Sequence, residues 1–130
     1  MSHIVKGKVS VSYTDLDVLV KALSGLGEVR ENEKLYRVGV GYTDERYSLV
    51  LLDPQDHQRR IGFRLEGGVF NQYQEDYGSY GAWTAQTSNK IVDRYLAYHY
   101  EKQLKAENYN VTVMTQADGT LEVVAEEVVW

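Results

Sequence analysis

The sequence predicts an α+β domain, a mostly antiparallel sheet with two helices packed on one face, in the order β-α-β-β-β-β-α-β-β. Three observations carry this. Several segments alternate apolar and polar residues with a period of two. Two segments repeat apolar residues at helical spacing. Most strands are joined by turns too short for the crossovers of a parallel sheet. The 130 residues predict a single domain over 1–130.

Residues 4–13 place Val5, Gly7, Val9, Val11 and Tyr13 on one face and Lys6, Lys8, Ser10 and Ser12 on the other. This predicts a half-buried first strand. Thr14 offers a cap, and Asp15 and Asp17 sit at the positive end of a helix dipole. Leu16, Leu19, Val20 and Leu23 form one apolar stripe, so a helix is expected over 15–24, with Gly25 and Gly27 as a left-handed stop.

Residues 28–34 read as a charged connector. Tyr36, Val38, Val40 and Tyr42 alternate with Arg37, Gly39 and Gly41, a second strand. The apolar run 47–52 predicts a third strand buried on both faces. Asp53-Pro54-Gln55-Asp56 is a turn, because Pro54 fixes φ. Ile61, Phe63 and Leu65 mark the fourth strand, and Gly67-Gly68 a two-residue hairpin into a fifth over 69–73.

Residues 71–86 have little periodicity and few aliphatic side chains, which predicts the longest loop. Thr87 or Ser88 then caps a second helix running to about Asn108, whose broad apolar face is Ile91, Val92, Tyr95, Leu96, Tyr98 and His99. Residues 111–115 and 120–126 are strands joined at Asp118-Gly119.

Composition narrows the function classes. There is no Cys, which excludes disulfides, thiol nucleophiles and thiolate metal sites. Lys and Arg total 14 against 19 Asp and Glu, a net charge of −5. That argues against duplex nucleic acid as a partner, since phosphate neutralisation supplies most of such affinity. No run approaches the ~18 apolar residues of a membrane helix. The first residues carry neither a signal peptide nor a transit peptide, and Ser2 stands where myristoylation needs glycine. A soluble cytoplasmic protein is expected.

Catalytic motifs are sparse. His3, His57 and His99 are widely spaced and read as a surface, a loop and a polar-pocket histidine, with no metal expected. The pairs Glu75-Asp76 and Glu126-Glu127 read as solvated surface. Gly39-Val40-Gly41 lacks the third glycine and the following helix of a phosphate cradle, and reads as a close-packed strand. Neither GxSxG nor a Walker A pattern occurs. No cofactor and no enzymatic activity are expected.

The aromatic excess is the informative signal: 11 Tyr against 2 Phe. Tyr73, Tyr77, Tyr80 and Trp83 are mixed with Gly, Ser, Asn and Gln, as in binding loops. Arg46, Arg59, Arg60 and Arg64 sit in neighbouring strands and turns. Arginine forks bind phosphate and aromatic rings stack bases, so a nucleotide pocket or a protein interface could use both sets. The bland alternative is sheet tyrosine and edge arginine. Tyr98 and His99 lie in a helix with aromatics all round it, so one side is buried in an oligomer or lines a pocket. The candidate binding residues are thus Arg59, Arg60, Arg64, Tyr73, Tyr77, Tyr80, Trp83, Tyr98 and His99. Residues 71–86 are expected to be the most functionally sensitive surface segment.

Met-Ser-His-Ile at the start, Gly25-Leu26-Gly27 after the first helix, Ile61-Gly62-Phe63, Arg94-Tyr95 followed by Ala97-Tyr98-His99, and Asp118-Gly119-Thr120-Leu121 before Trp130 occur in that order. Together they resemble the hypothetical chloroplast open-reading-frame family, a domain of unknown function found in plastids, bacteria and some phages. Leu96 stands as an extra residue within the helix motif, and Ala125 to Val129 lengthens the run to Trp130. The resemblance implies no activity, cofactor or catalytic residue. It implies a neighbourhood with a small ferredoxin-like protein and an AAA-type ATPase.

The leading expectation is a non-enzymatic interaction module that acts with a protein partner, such as that ATPase, as a homo-oligomer. The alternative is a binder of a nucleotide-like small molecule, for a phage member one that sequesters a host signalling nucleotide. An enzyme using His99 or carboxylates is the third reading. Trp130 is expected to close the core edge.

Overall fold

The computed structural model describes residues 4–118 and 120–128. The expected element order holds: β1 (Ile4–Lys6), α1 (Leu16–Ser24), β2 (Glu28–Arg37), β3 (Gly41–Asp53), β4 (Asp56–Glu66), β5 (Val69–Glu75), α2 (Gly78–Ala106), β6 (Tyr109–Thr115) and β7 (Leu121–Glu127). Five strands form one antiparallel sheet in the order β1-β5-β4-β3-β2, while β6 and β7 form a separate two-stranded sheet. No helix among the described residues is long and apolar enough to cross a membrane. His3, Gly119 and Trp130 lie outside the described residues, so the expectations placed on them have no structural counterpart here.

Both helices cover one face of the sheet. Leu19 and Leu23 of α1 and Ile91 and Tyr95 of α2 meet Leu51 of β3 and Phe63 of β4 in the main core. The opposite face carries a smaller cluster of Leu35, Tyr47, Val50 and Leu52, with Ile4 and Tyr73 against it. No helix is needed there, because the long β2–β3 hairpin curls back over β4 and β5. Asn32 takes a φ of 50° and the β2–β3 register shifts between Lys34 and Tyr36, which together bend the hairpin. Gly62 makes the room: a Cβ there would lie 2.9 Å from Tyr47 Cγ and 3.1 Å from Leu35 Cδ2. At the hairpin tip, Val38 N–H donates to the buried Glu75 carboxylate at 3.1 Å.

Several sequence expectations need correction. Only Ile4–Lys6 of the first strand is ladder-paired, although residues 7–13 keep their alternating burial. That stretch touches β5 and its flank through Gly7 N–H to Gln72 O and Phe70 N–H to Tyr13 O, both 2.8 Å. In α1 the cap is Asp15, whose Oδ1 accepts from Val18 N–H at 3.2 Å. The buried stripe is Val18, Leu19, Ala22 and Leu23, and Leu16 is exposed. Gly25 has a right-handed φ of −83°, so it is not a left-handed stop.

The charged stretch 28–34 is strand, not connector, since β2 is a sheet edge where charge is compatible with pairing on one side only. The expected strand 36–42 straddles the β2–β3 turn. Gly39 and Gly41 have φ of 77° and 112° with no atom within 4 Å of an added Cβ, so backbone freedom rather than close packing selects glycine.

The largest correction concerns residues 71–86, which are not a loop. β5 continues to Glu75, Tyr77 is the N-cap, and α2 starts at Gly78. Gly78, Gly81 and the shortage of aliphatic residues hide this part of the helix from periodicity. Gly81 lets the first turn pack on the preceding chain, because a Cβ there would fall 2.4 Å from Asp76 O. By contrast Asp53-Pro54-Gln55-Asp56 does connect β3 to β4, and Gly67 and Gly68, with φ of 59° and 82°, make the β4–β5 hairpin turn.

Candidate functional site

A cavity of about 590 Å³ lies between the β3–β4 turn and the first turns of α2. Asp53, Pro54, Gln55 and Arg59 line one wall. Ser79, Trp83, Gln86, Thr87 and Lys90 line the other, one helical face read at spacings of three and four. Three of the nine candidate residues gather here: Arg59 and Trp83 in the lining, and Tyr80 beside it.

Arg59 is the fixed cation of the site. Its Nε lies 3.0 Å from Asp53 Oδ2 and 3.8 Å from Asp56 Oδ2. Asp53 is buried and is itself oriented by Gln55 N–H, which donates to its Oδ1 at 3.0 Å. Asp56 Oδ2 lies 3.5 Å from the Tyr80 hydroxyl, which also reaches Gln58 Oε1 at 3.3 Å. Burial, and then the Asp56 charge, raise the Tyr80 phenol above its ordinary pKa, so it stays a neutral donor. Trp83 is half-buried, packed on the main core with its ring at the cavity wall. Lys90 is exposed on the same helical face.

Two cations therefore line the cavity against one carboxylate, in a chain whose net charge is −5. The Arg59 Nε is buried in its ion pair with Asp53 without a hydrogen bond among the described residues, and the guanidinium carries four further N–H donors on its two terminal nitrogens. Beside it stand an indole, two side-chain amides and two hydroxyls. This set can hold an anionic group at Arg59 and Lys90 and a planar group against Trp83.

The other candidates lie elsewhere. Arg60 is buried on the opposite sheet face, where its N–H groups donate to His57 O at 2.6 Å and Lys34 O at 2.9 Å, so its donors serve the β2–β3 hairpin. Arg64 stacks between Tyr47 and Tyr73, 4.6 and 5.3 Å from the ring centroids, and pairs with Glu45 at 3.1 Å. Tyr73 donates to Glu66 at 2.6 Å. Tyr77 is exposed at the start of α2. Tyr98 lies on the α1–α2 seam with the Lys21 and Arg94 cations over its ring, and His99 is exposed and stacked on Tyr95 rather than held in a polar pocket.

Glu75 is not solvated surface. Only its neighbour Asp76 is exposed; Glu75 is buried and accepts from Val38 and Tyr77 N–H groups at 3.1 and 3.2 Å. Glu126 and Glu127 are exposed as expected. Lys90, Gln86 and Thr87 were missed as site residues. With α2 extended back to Gly78, Lys90 falls seven residues after Trp83, two turns along one face. Among the described residues no group of three His, Asp or Glu side chains could hold a metal ion. No family model matches the chain, and neither a curated protein nor a solved structure matches it.

Proposed function

We propose that this protein is a non-enzymatic binding module whose cavity takes a nucleotide-like small molecule. The observation that supports this is the convergence of Arg59, Lys90 and Trp83 on one cavity of about 590 Å³. Arginine and lysine suit a phosphate, and an indole suits a base. Asp53 orients the arginine in advance, which lowers the ordering cost of binding.

The test is native mass spectrometry of gently purified protein, followed by titration with nucleoside monophosphates and dinucleotides, with inorganic phosphate as control. The expected result is an added mass of a few hundred daltons released on denaturation, or saturable binding that Arg59→Ala and Trp83→Ala abolish while the folded fraction holds. Binding by none of these probes, with no added mass, overturns the reading.

A protein partner is the second reading. It is favoured by Leu96 and Tyr100, exposed four residues apart on α2, and by the family resemblance with its AAA-type ATPase neighbourhood. We also propose membership of that hypothetical chloroplast open-reading-frame family. What supports it is the order of the motifs along the sequence, from Gly25-Leu26-Gly27 through Ile61-Gly62-Phe63 and Arg94-Tyr95 to Asp118-Gly119-Thr120-Leu121.

A further inference from the structure

Among the described residues the β6–β7 sheet has two strands, and each has an outer edge without a strand neighbour. Which backbone groups lie on that edge follows from the ladder. Gln116 N–H donates to Thr120 O at 2.8 Å and Val128 N–H to Asn108 O at 3.1 Å, so the 116/120 and 108/128 pairs are hydrogen-bonded ones. Such pairs recur at every second residue, and the register runs unbroken from Tyr109↔Glu127 to Thr115↔Leu121. Asn110, Thr112 and Met114 therefore bond to β7. The N–H and C=O groups of Tyr109, Val111, Val113 and Thr115 point outward.

The two edges differ in what they can meet. β6 reads YNVTVMT, with no charge, no proline and no bulge, and none of the usual devices that block edge pairing. β7 reads LEVVAEE. Two copies of β7 laid antiparallel about Val124 would set Glu122 opposite Glu126, a like-charge clash. Two copies of β6 about Thr112 would set Val111 opposite Val113 and Thr112 opposite itself, with matched outward groups at the 111/113 and 109/115 pairs.

We propose that the β6 edge is a self-recognition surface. A second copy of this chain pairs antiparallel with it about a two-fold axis at Thr112, giving the strand order β7-β6-β6-β7. The pairing forms about eight backbone hydrogen bonds. It is independent of the cavity ligand, since no β6 residue lines that cavity.

The test is sedimentation of the full chain across micromolar concentrations. The expected result is reversible association to twice the 14.9 kDa chain mass. Thr112 is exposed, on the face away from the half-buried side chains of β6, so Thr112→Lys and Thr112→Glu leave the hairpin able to fold. Each variant by itself should be monomeric, and a mixture of the two should recover the dimer. Val111→Pro, which removes one outward N–H, should weaken association at least tenfold, with circular dichroism reporting the fold. A wild-type chain that stays monomeric at 100-fold the protein concentration used for the ligand titrations overturns the proposal. So does a dimer that both Thr112→Lys and Val111→Pro leave intact.

Discussion

The Arg94 guanidinium occupies the space that a side chain on Gly25 would need: a Cβ there would fall 1.8 Å from Nη2. Arg94 is buried, and its Nε donates to Ala22 O at 2.7 Å, at the C-terminal end of α1. Its neighbour Tyr95 holds the other end, its hydroxyl accepting from the Thr14 and Asp15 N–H groups at 3.1 Å each. One dipeptide of α2 thus satisfies backbone groups at both ends of α1.

Gly25→Ala should therefore destabilise through Arg94 rather than through backbone strain, since φ at Gly25 suits any residue. The expected loss is ~1–3 kcal/mol, the range for overpacking a filled site. Urea denaturation checks it. The double variant Gly25→Ala/Arg94→Met should lose less than the two single losses added together, because the clash is gone once the guanidinium is removed.

Tyr13 and Tyr95 pack edge-to-face with centroids 4.9 Å apart, yet their hydroxyls should respond oppositely to removal. Tyr95→Phe removes the acceptor at the start of α1 and should cost ~1 kcal/mol. The Tyr13 hydroxyl is buried with no hydrogen-bond partner among the described residues, so Tyr13→Phe should be neutral or mildly stabilising. Burial, then the nearby Tyr95, raise the Tyr13 phenol in the fold. The unfolded chain ionises first, so stability falls as pH rises past ~10. Tyr13→Phe should flatten that alkaline limb of the thermal midpoint.

Asp15 gives the acid limb. The Lys102 hydrogen bond, and then the Val18 backbone N–H, hold its carboxyl below the ordinary value. A lowered folded pKa means the stabilisation is present above the unfolded value and fades as pH falls through the folded one. Asp15→Ala should cost ~1 kcal/mol at pH 7, as for loss of a helix cap. The gap from wild type should close progressively below pH ~4, read from denaturation midpoints.

Gly62→Ala tests the curled hairpin. The added methyl would press on Tyr47 and Leu35, both buried, so a loss of ~1–3 kcal/mol is expected. Gly39→Ala probes the same hairpin where space is open but φ is 77°; its loss should come from backbone conformation and stay nearer ~1 kcal/mol. Paired thermal melts distinguish the two mechanisms.

The fold was legible where chemistry is local. Thr14-Asp15, Asp53-Pro54 and Gly67-Gly68 mark boundaries by capping and turn preference, and the element order follows from them. Tertiary contacts hid the rest. The charges of β2 are explained only by its place at the sheet edge, and Gly25 only by Arg94, distant in sequence. Arg59, Tyr80 and Trp83 are legible as an arginine and two aromatics within one stretch of sequence, and the structure brings them together. It separates them from Arg60, Arg64 and Tyr73 because alternate residues of β4 and β5 face opposite sides of the sheet. Lys90 is not legible as a site residue because its helical face begins within 78–86, where the sequence lacks apolar periodicity.

The β6–β7 sheet shares no ladder with the five-stranded sheet, and α2 is the element it packs on. Its amides can exchange with solvent by opening one sequence-local unit, while those of Val50 or Ile61 in the central strands need far wider disruption. Deuterium uptake should therefore fall into two kinetic tiers, with the C-terminal hairpin in the faster. No residue of this hairpin belongs to the main core, so its opening should leave that core in place.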